Sequence, residues 1–290
     1  MKSIHDTYVL SNGLQMPCLG FGTYNPGGED NCKIIRTAME AGYRYFDTAS
    51  LYETERALGQ AVKESGIKRS EFFLASKLWM DEMGYHETKQ ALERTLNRLQ
   101  TDYLDLYLIH WPKSSEEDIN WKERIAETWH AMEELYEAGK VKGLGLSNFL
   151  PHHMDVVFEN AKVMPVANQL ELHPGYMQET AVSYCQSKNV RAQAWSPLGR
   201  SSLLNHPVLC GMAEKYGKST AQLCLRFLVQ KNIVPLVKAS RIERMKQNAD
   251  IFDFEISRED MSILACMPQT AWSGQHPDFD IPKVHSNFNQ

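Results

Sequence analysis

Gly42-Tyr43-Arg44-Tyr45-Phe46-Asp47-Thr48-Ala49-Ser50-Leu51-Tyr52-Glu53-Thr54-Glu55 reads as a short strand over 45–46 that ends in an acid, crosses a turn of small residues, and starts a helix at Glu53. Asp47 then leaves the carboxyl end of a strand, with the Tyr52 phenol within one turn of chain. In an α/β barrel the carboxyl ends of the strands are where chemistry sits. By themselves the acid and the phenol read first as a structural hydrogen bond, because a strand end alone does not specify a site. Two later apolar runs end in the same manner, at Lys77 in Phe72-Phe73-Leu74-Ala75-Ser76-Lys77 and at His110 in Leu104-Asp105-Leu106-Tyr107-Leu108-Ile109-His110. An acid, a phenol, an amine and an imidazole at three strand ends read as one site.

Outward from that stretch, strand and helix patterns alternate. Ser11-Asn12-Gly13 between apolar runs signals an amino-terminal hairpin, since Asn-Gly tolerates positive φ. Strands are expected over 19–22, 45–46, 72–77, 104–110, 141–146, 166–170, 190–195 and 233–237. Helices are expected over 29–41, 53–65, 87–99, 121–138, 151–161, 178–188, 208–216, 220–229, 240–251 and 258–266. Eight strand–helix units without a linker predict one domain over 1–290, an α/β fold of the (β/α)8 TIM-barrel type. An amino-terminal β-hairpin precedes the barrel, and a carboxyl-terminal extension from Met267 lies over its mouth. A doubly wound dinucleotide fold would require Gly-x-Gly-x-x-Gly after the first strand. Gly20-Phe21-Gly22 and Gly143-Leu144-Gly145 lack the third glycine.

The 290 residues are 43% hydrophobic and 23% charged, with a net charge of -5. That balance suits a soluble chain with a large core, and the absence of a basic run argues against a nucleic-acid partner. No stretch is long enough to span a bilayer and no apolar leader is visible, so the expectation is a cytoplasmic protein, monomeric, with no membrane partner. Six scattered cysteines without a Cys-x-x-Cys pair read as reduced thiols. The adjacent His152 and His153 read as a solvated pair, not as metal ligands, and no metal is expected. The charged run over 53–63 reads as a solvated helix face.

A phenol with a pKa near 10 is a poor acid at neutral pH unless a cation stabilises its phenolate. Lys77 could do so if Asp47 keeps the ammonium charged, and His110 could donate to an oxygen gaining negative charge. Together the four suit protonation of a carbonyl oxygen. None of them supplies an electron pair, so a redox cofactor is expected.

These motifs, in this order, resemble the aldo-keto reductases over essentially the whole chain. The matching segments are the opening stretch with Tyr52, Ser76-Lys77-Leu78-Trp79, Ile109-His110-Trp111-Pro112, Gly145-Leu146-Ser147-Asn148-Phe149, Asn168-Gln169 and Trp195-Ser196-Pro197-Leu198-Gly199. Within the family the pattern is similar to bacterial diketogluconate-reductase-like members. The resemblance implies an NADP(H)-dependent reductase of small-molecule carbonyls, with Tyr52 as general acid, Lys77 and Asp47 as its tuning pair, and His110 as the donor that orients the carbonyl. It places Ser147, Asn148 and Gln169 on the nicotinamide carboxamide, Trp195 as a stacking face where many members carry tyrosine, and Ser196 and Leu198 along the pyrophosphate. Gly22 and Thr23 join the cofactor contacts on the same ground. Lys238, Ser240, Arg244, Gln247 and Asn248 fall in the family's adenosine-phosphate clamp, where Ala239 replaces a usual serine and Gln247 a usual glutamate. Tyr24, Trp79, Trp111 and Trp272 are expected to wall the substrate pocket. Two other readings remain open: a catalytically idle NADP(H)-binding regulatory protein of the same fold, and an aldolase with a Schiff base on Lys77.

Overall fold

The computed structural model describes residues 1–25 and 30–282. An antiparallel hairpin, β1 (Thr7–Val9) and β2 (Gln15–Pro17), comes first, turning at Gly13 with φ +84°. Eight parallel strands follow: β3 (Gly20–Gly22), β4 (Tyr45–Asp47), β5 (Phe73–Leu78), β6 (Leu106–Ile109), β7 (Leu144–Ser147), β8 (Ala167–Glu171), β9 (Arg191–Trp195) and β10 (Val234–Val237). Each pairs with the next, and β10 pairs back onto β3, so the sheet is closed. The expected barrel is therefore the observed one.

Helices cover the outer face in chain order: α1 (Asn31–Glu40), α2 (Glu55–Glu64), α3 (Tyr85–Leu99), α4 (Trp121–Glu137), α5 (Pro151–Asn160), α6 (Glu179–Ser187), α7 (Pro207–Lys215), α8 (Thr220–Gln230), α9 (Ile242–Ala249) and α10 (Arg258–Ala265). Ile34, Ile35, Ala38 and Met39 recur at helical spacing and are the buried residues of α1, and Asp30 caps it by accepting from the Lys33 N–H. Glu29, expected to begin that helix, lies outside the described residues. All six residues of β5 are buried because helices cover one face and the barrel interior the other. Gly59 of α2 permits a close crossing, since a Cβ there would meet the Leu99 carbonyl oxygen at 2.5 Å.

The hairpin closes the amino end of the barrel: Tyr8, Leu10 and Met16 pack with Tyr45, Phe73, Leu106, Leu108 and Val234. Among the described residues, the carboxyl end is the one left to open. There the segment after α10 crosses the rim, held where Ser273 donates its N–H and Oγ–H to the Glu171 carboxylate. Among the described residues no helix is long and apolar enough to cross a membrane.

The opening stretch departs from expectation in one respect. The chain does not enter a helix at Glu53, whose φ is +57°; it makes a 3-10 turn over Ser50–Tyr52, and the helix begins at Glu55. Thr54, at the head of that helix, spends its buried hydroxyl on Thr23 (2.8 Å) and Thr48 (2.9 Å) and does not cap it. That turn sets Tyr52 on the inner rim.

Candidate active site

Alternation along β5 decides which groups meet inside. Ser76 and Lys77 are neighbours, so one points out toward the helices and the other into the barrel. Lys77 is fully buried, and its Nζ lies 2.5 Å from Asp47 Oδ1, 3.0 Å from the Thr48 carbonyl oxygen and 3.3 Å from Tyr52 Oη. An ammonium has three N–H donors, and each has an acceptor here. Tyr52 Oη in turn lies 3.4 Å from His110 Nε2. The four strand-end residues thus form one continuous contact chain.

Electrostatics follow from burial and pairing. Burial alone would push the Lys77 amine down, but the Asp47 carboxylate beside it, with Tyr52, carries it above its ordinary value. Burial raises the Tyr52 phenol, with the nearby Lys77 charge opposing, so the hydroxyl keeps its proton at neutral pH. This corrects the expected net lowering: desolvation outweighs the cation. Burial, and then the Lys77 charge, hold His110 well below the ordinary imidazole range, so its ring is neutral. His110 Nδ1 is buried with no partner among the described residues. The tautomer with its proton on Nε2 avoids a buried unpaired N–H and turns that donor toward the rim.

These groups open onto a cleft of 620 Å³ at the carboxyl end of the barrel. Of the expected residues it is lined by Gly22, Tyr24, Asp47, Tyr52, Trp79, His110, Trp111, Ser147, Asn148, Gln169, Trp195, Ser196, Leu198 and Lys238. Lys77 stands behind Asp47 and Tyr52. The Trp79 ring meets His110 edge-on at 5.0 Å, and Tyr24 lies 5.0 Å from Tyr52. Asn148, at φ +62°, donates from Nδ2 to the His110 carbonyl oxygen and accepts at Oδ1 from Trp195 Nε1–H at 2.8 Å. The indole thus has an edge contact that a phenyl ring could not make.

Other expected residues lie apart. Thr23 does not line the cleft, its hydroxyl being bonded to Thr54. Arg244 and Gln247 are exposed on α9 and Asn248 is buried there, beyond the cleft. Lys238 at the rim links the two, donating to Ser240 Oγ (2.8 Å) and Asn25 Oδ1 (3.0 Å). Ala239 is buried against the core. Trp272 is not a wall of the cleft: it stacks on Tyr176 and donates to the Gln275 carbonyl oxygen. From the tail, Gln275 and Pro282 line the cleft instead. No sequence signal marks these two, or Arg200 and Ser201, because neither segment has a period.

Two further expectations are overturned. His153 is not solvated: it is fully buried, its Nδ1 accepts from the Leu150 N–H, and its Nε2 meets Asp278 at 3.1 Å. His152, His153 and Asp278 do cluster. A His153 nitrogen that accepts from a backbone N–H leaves the proton on the other, which is then a donor to Asp278 and no metal ligand. The run over 53–63 is not wholly solvated either, since Glu55 is buried against Ser76 Oγ (2.6 Å) and Arg98 Nε (2.5 Å).

Known proteins agree with this architecture. The sequence pattern of the Aldo/keto reductase family matches residues 18–266. Glyoxal reductase of Bacillus subtilis (strain 168) is 41% identical over 277 residues, covering 95% of this chain and 98% of that protein. Methylglyoxal reductase DkgA of Escherichia coli O157:H7 is 34% identical over 271 residues, covering 93% and 96%. A crystal structure of an aldo-keto reductase complexed with NADPH superposes with a TM-score of 0.88 at 31% identity, covering 98% of this chain and 95% of that one. Likeness of that extent, in sequence and in barrel topology alike, makes this chain a member of the aldo/keto reductase family and an oxidoreductase.

Proposed function

We propose that the protein uses NADPH to reduce small aldehydes, ketones and dicarbonyls to alcohols, with Tyr52 as the general acid. The observation that carries this reading is the buried Lys77, whose three donors are shared among Asp47, Thr48 and Tyr52 at the wall of a cleft that His110 also lines. An ammonium so placed has no amine lone pair to attack a carbonyl, which sets aside the aldolase reading.

The donor set fits the cofactor. Gln169 and Asn148 offer amide groups at the cleft and Trp195 a broad aromatic face, which suit a nicotinamide carboxamide and its ring. Ser147, Ser196 and Leu198 continue that surface. Lys238, Ser240 and Arg244 supply two cations and a hydroxyl for a 2′-phosphate, with Gln247 and Asn248 toward the adenosine. NADPH, when bound, supplies the hydride. His110 Nε2–H donates to the carbonyl oxygen and turns it toward Tyr52. As that oxygen gains charge, Tyr52 transfers its proton to it, and Lys77 steadies the phenolate that remains. Asp47 keeps Lys77 charged throughout.

The rim and the relatives both favour small substrates. The connection between β6 and α4 is short and braced by Arg124 on Asp118 at 3.0 Å. It covers little of the cleft, and the two relatives above are named for glyoxal and methylglyoxal reduction. A spectrophotometric panel of NADPH oxidation tests this: small dicarbonyls should outrun ketosteroids, and a steroid turned over far better than any of them would overturn the substrate class. Titrations with NADH and NADPH test the clamp. NADPH should bind tighter, Arg244→Ala should abolish most of that preference, and equal wild-type affinities would remove the clamp assignment.

A further inference from the structure

We propose that Gln193, a residue outside the reacting set, is a positioning residue that holds the Gln169 amide with its oxygen toward the nicotinamide. It rests on the reading of Gln169 as a carboxamide contact. Gln193 lies on β9 with no exposure, inside the barrel, and is the direct register partner of Gln169 on β8. Gln169 Nε2 lies 2.9 Å from Asp47 Oδ2 and 3.1 Å from Gln193 Oε1. Gln193 Nε2 lies 3.0 Å from Tyr45 Oη and 3.1 Å from Met16 Sδ.

One charge sets the direction of every amide in this chain. Asp47, ion-paired with Lys77, only accepts hydrogen bonds, so Gln169 must present its NH2 to it. The second N–H of that group points at Gln193, which must answer with its oxygen. The Gln193 NH2 is then left for the Tyr45 hydroxyl and the Met16 sulfur. Both N–H groups of Gln169 are thereby used inside the barrel, while its Oε1 accepts from no group among the described residues. Gln169 lines the cleft, so the end it offers a ligand is an acceptor, matched to the NH2 of a carboxamide. Without Gln193, one Gln169 N–H would be buried unpaired and the amide would be held by Asp47 alone, free to swing about that one hydrogen bond. Its oxygen would then no longer be fixed toward the ligand.

The test compares NADPH with adenosine 2′,5′-bisphosphate, which keeps the phosphate clamp and lacks the nicotinamide. Affinities are read by quenching of tryptophan fluorescence for the first and by competition for the second. Gln193→Met, similar in shape but without donor or strong acceptor, should weaken NADPH roughly twofold to tenfold, the equivalent of one hydrogen bond. It should leave the bisphosphate unchanged. Gln193→Glu keeps an oxygen facing Gln169, and the Tyr45 hydroxyl can turn to donate to it, so NADPH affinity should return toward wild type. Equal weakening of both ligands by Gln193→Met, no weakening of NADPH, or a Gln193→Glu protein as weak as the Met variant would overturn the proposal. Should Gln193→Met not fold, Tyr45→Phe loses only the outer anchor of Gln193, and an unchanged NADPH affinity there overturns it as well. A wild-type protein that binds NADPH but reduces no carbonyl would remove the proposed activity and leave this test standing.

Discussion

Two buried acids eight residues apart in the chain, Asp47 and Glu55, are each held by a cation, and the two pairs serve different ends. Glu55 lies between barrel and helices, with Ser76 Oγ on one oxygen and Arg98 on the other. Asp47 lies inside, with Lys77 on one oxygen and Gln169 on the other. The partners Ser76 and Lys77 are consecutive on β5, so strand alternation alone sends one to each layer. The outer pair ends on groups with no further task. The inner pair passes on to a phenol and an imidazole that face a cleft. A buried ion pair is weak evidence of function by itself, since such pairs also occur as structure. What separates these two is whether the network ends at a cavity.

Variants should break the inner pair and the outer pair in different observables. Lys77→Met strands the Asp47 charge with only an amide partner and should cost about 3–5 kcal/mol of stability, the usual penalty for halving a buried pair. It should also abolish carbonyl reduction, read by urea unfolding and by NADPH oxidation. Tyr52→Phe should separate those two effects. Loss of the proton donor should lower kcat by about 10²–10⁴, while stability and NADPH affinity stay near wild type. A variant with unchanged kcat would remove Tyr52 as the acid. Glu55→Gln is the mirror image. Arg98 keeps a fifth of its side chain exposed, so water softens the loss, which we expect at about 2–3 kcal/mol. Its kcat should be unchanged; a large fall would mean that the outer pair, too, tunes the site.

Acid pH gives the smallest separation. Burial, with the neighbouring His152 adding to it and Asp278 opposing, pushes His153 down to about 4, and His110 is lowered in the same direction. An unfolded imidazole protonates near pH ~6.5, so below that pH the unfolded chain binds protons that the native one does not. Stability should therefore be full above about 6.5 and decline as pH falls toward 4, by at most about 1.4 kcal/mol per pH unit for each histidine. His153→Gln should flatten that slope in unfolding curves taken on either side of the transition, even if it lowers stability at neutral pH. An unaltered slope would show that His153 is not one of the groups responsible.

Much of this was legible from residues alone, for a physical reason. Strands and helices of a barrel each carry a local signature: apolar runs, 3.6-residue spacing, Asn-Gly and Pro-x stops. The eight units and the hairpin could therefore be counted. Asp47, Tyr52, Lys77 and His110 could be paired because strand ends converge by topology, whatever the loops do. Local signals do not carry the sign or the partner of a buried charge. Glu55 has the spacing of a solvated helix face and is buried because α2 crosses α3 there. His153 has the company of an exposed pair and is buried because the tail brings Asp278 onto it. Trp272 was expected in the pocket and stacks on Tyr176, while Gln275 and Pro282 reach the cleft from a segment with no period at all. Even the net shift on Tyr52 runs against the reading from its neighbours, because desolvation depends on how much chain covers the ring. The sequence by itself determined the order of elements and the strand ends that carry chemistry, since both are set by short-range pattern. Tertiary structure alone decided which carboxylate faces the cleft, which amide orients which, and what closes the rim, since those depend on contacts between residues far apart in the chain, 125 positions for His153 and Asp278 and 148 for Gln193 and Tyr45.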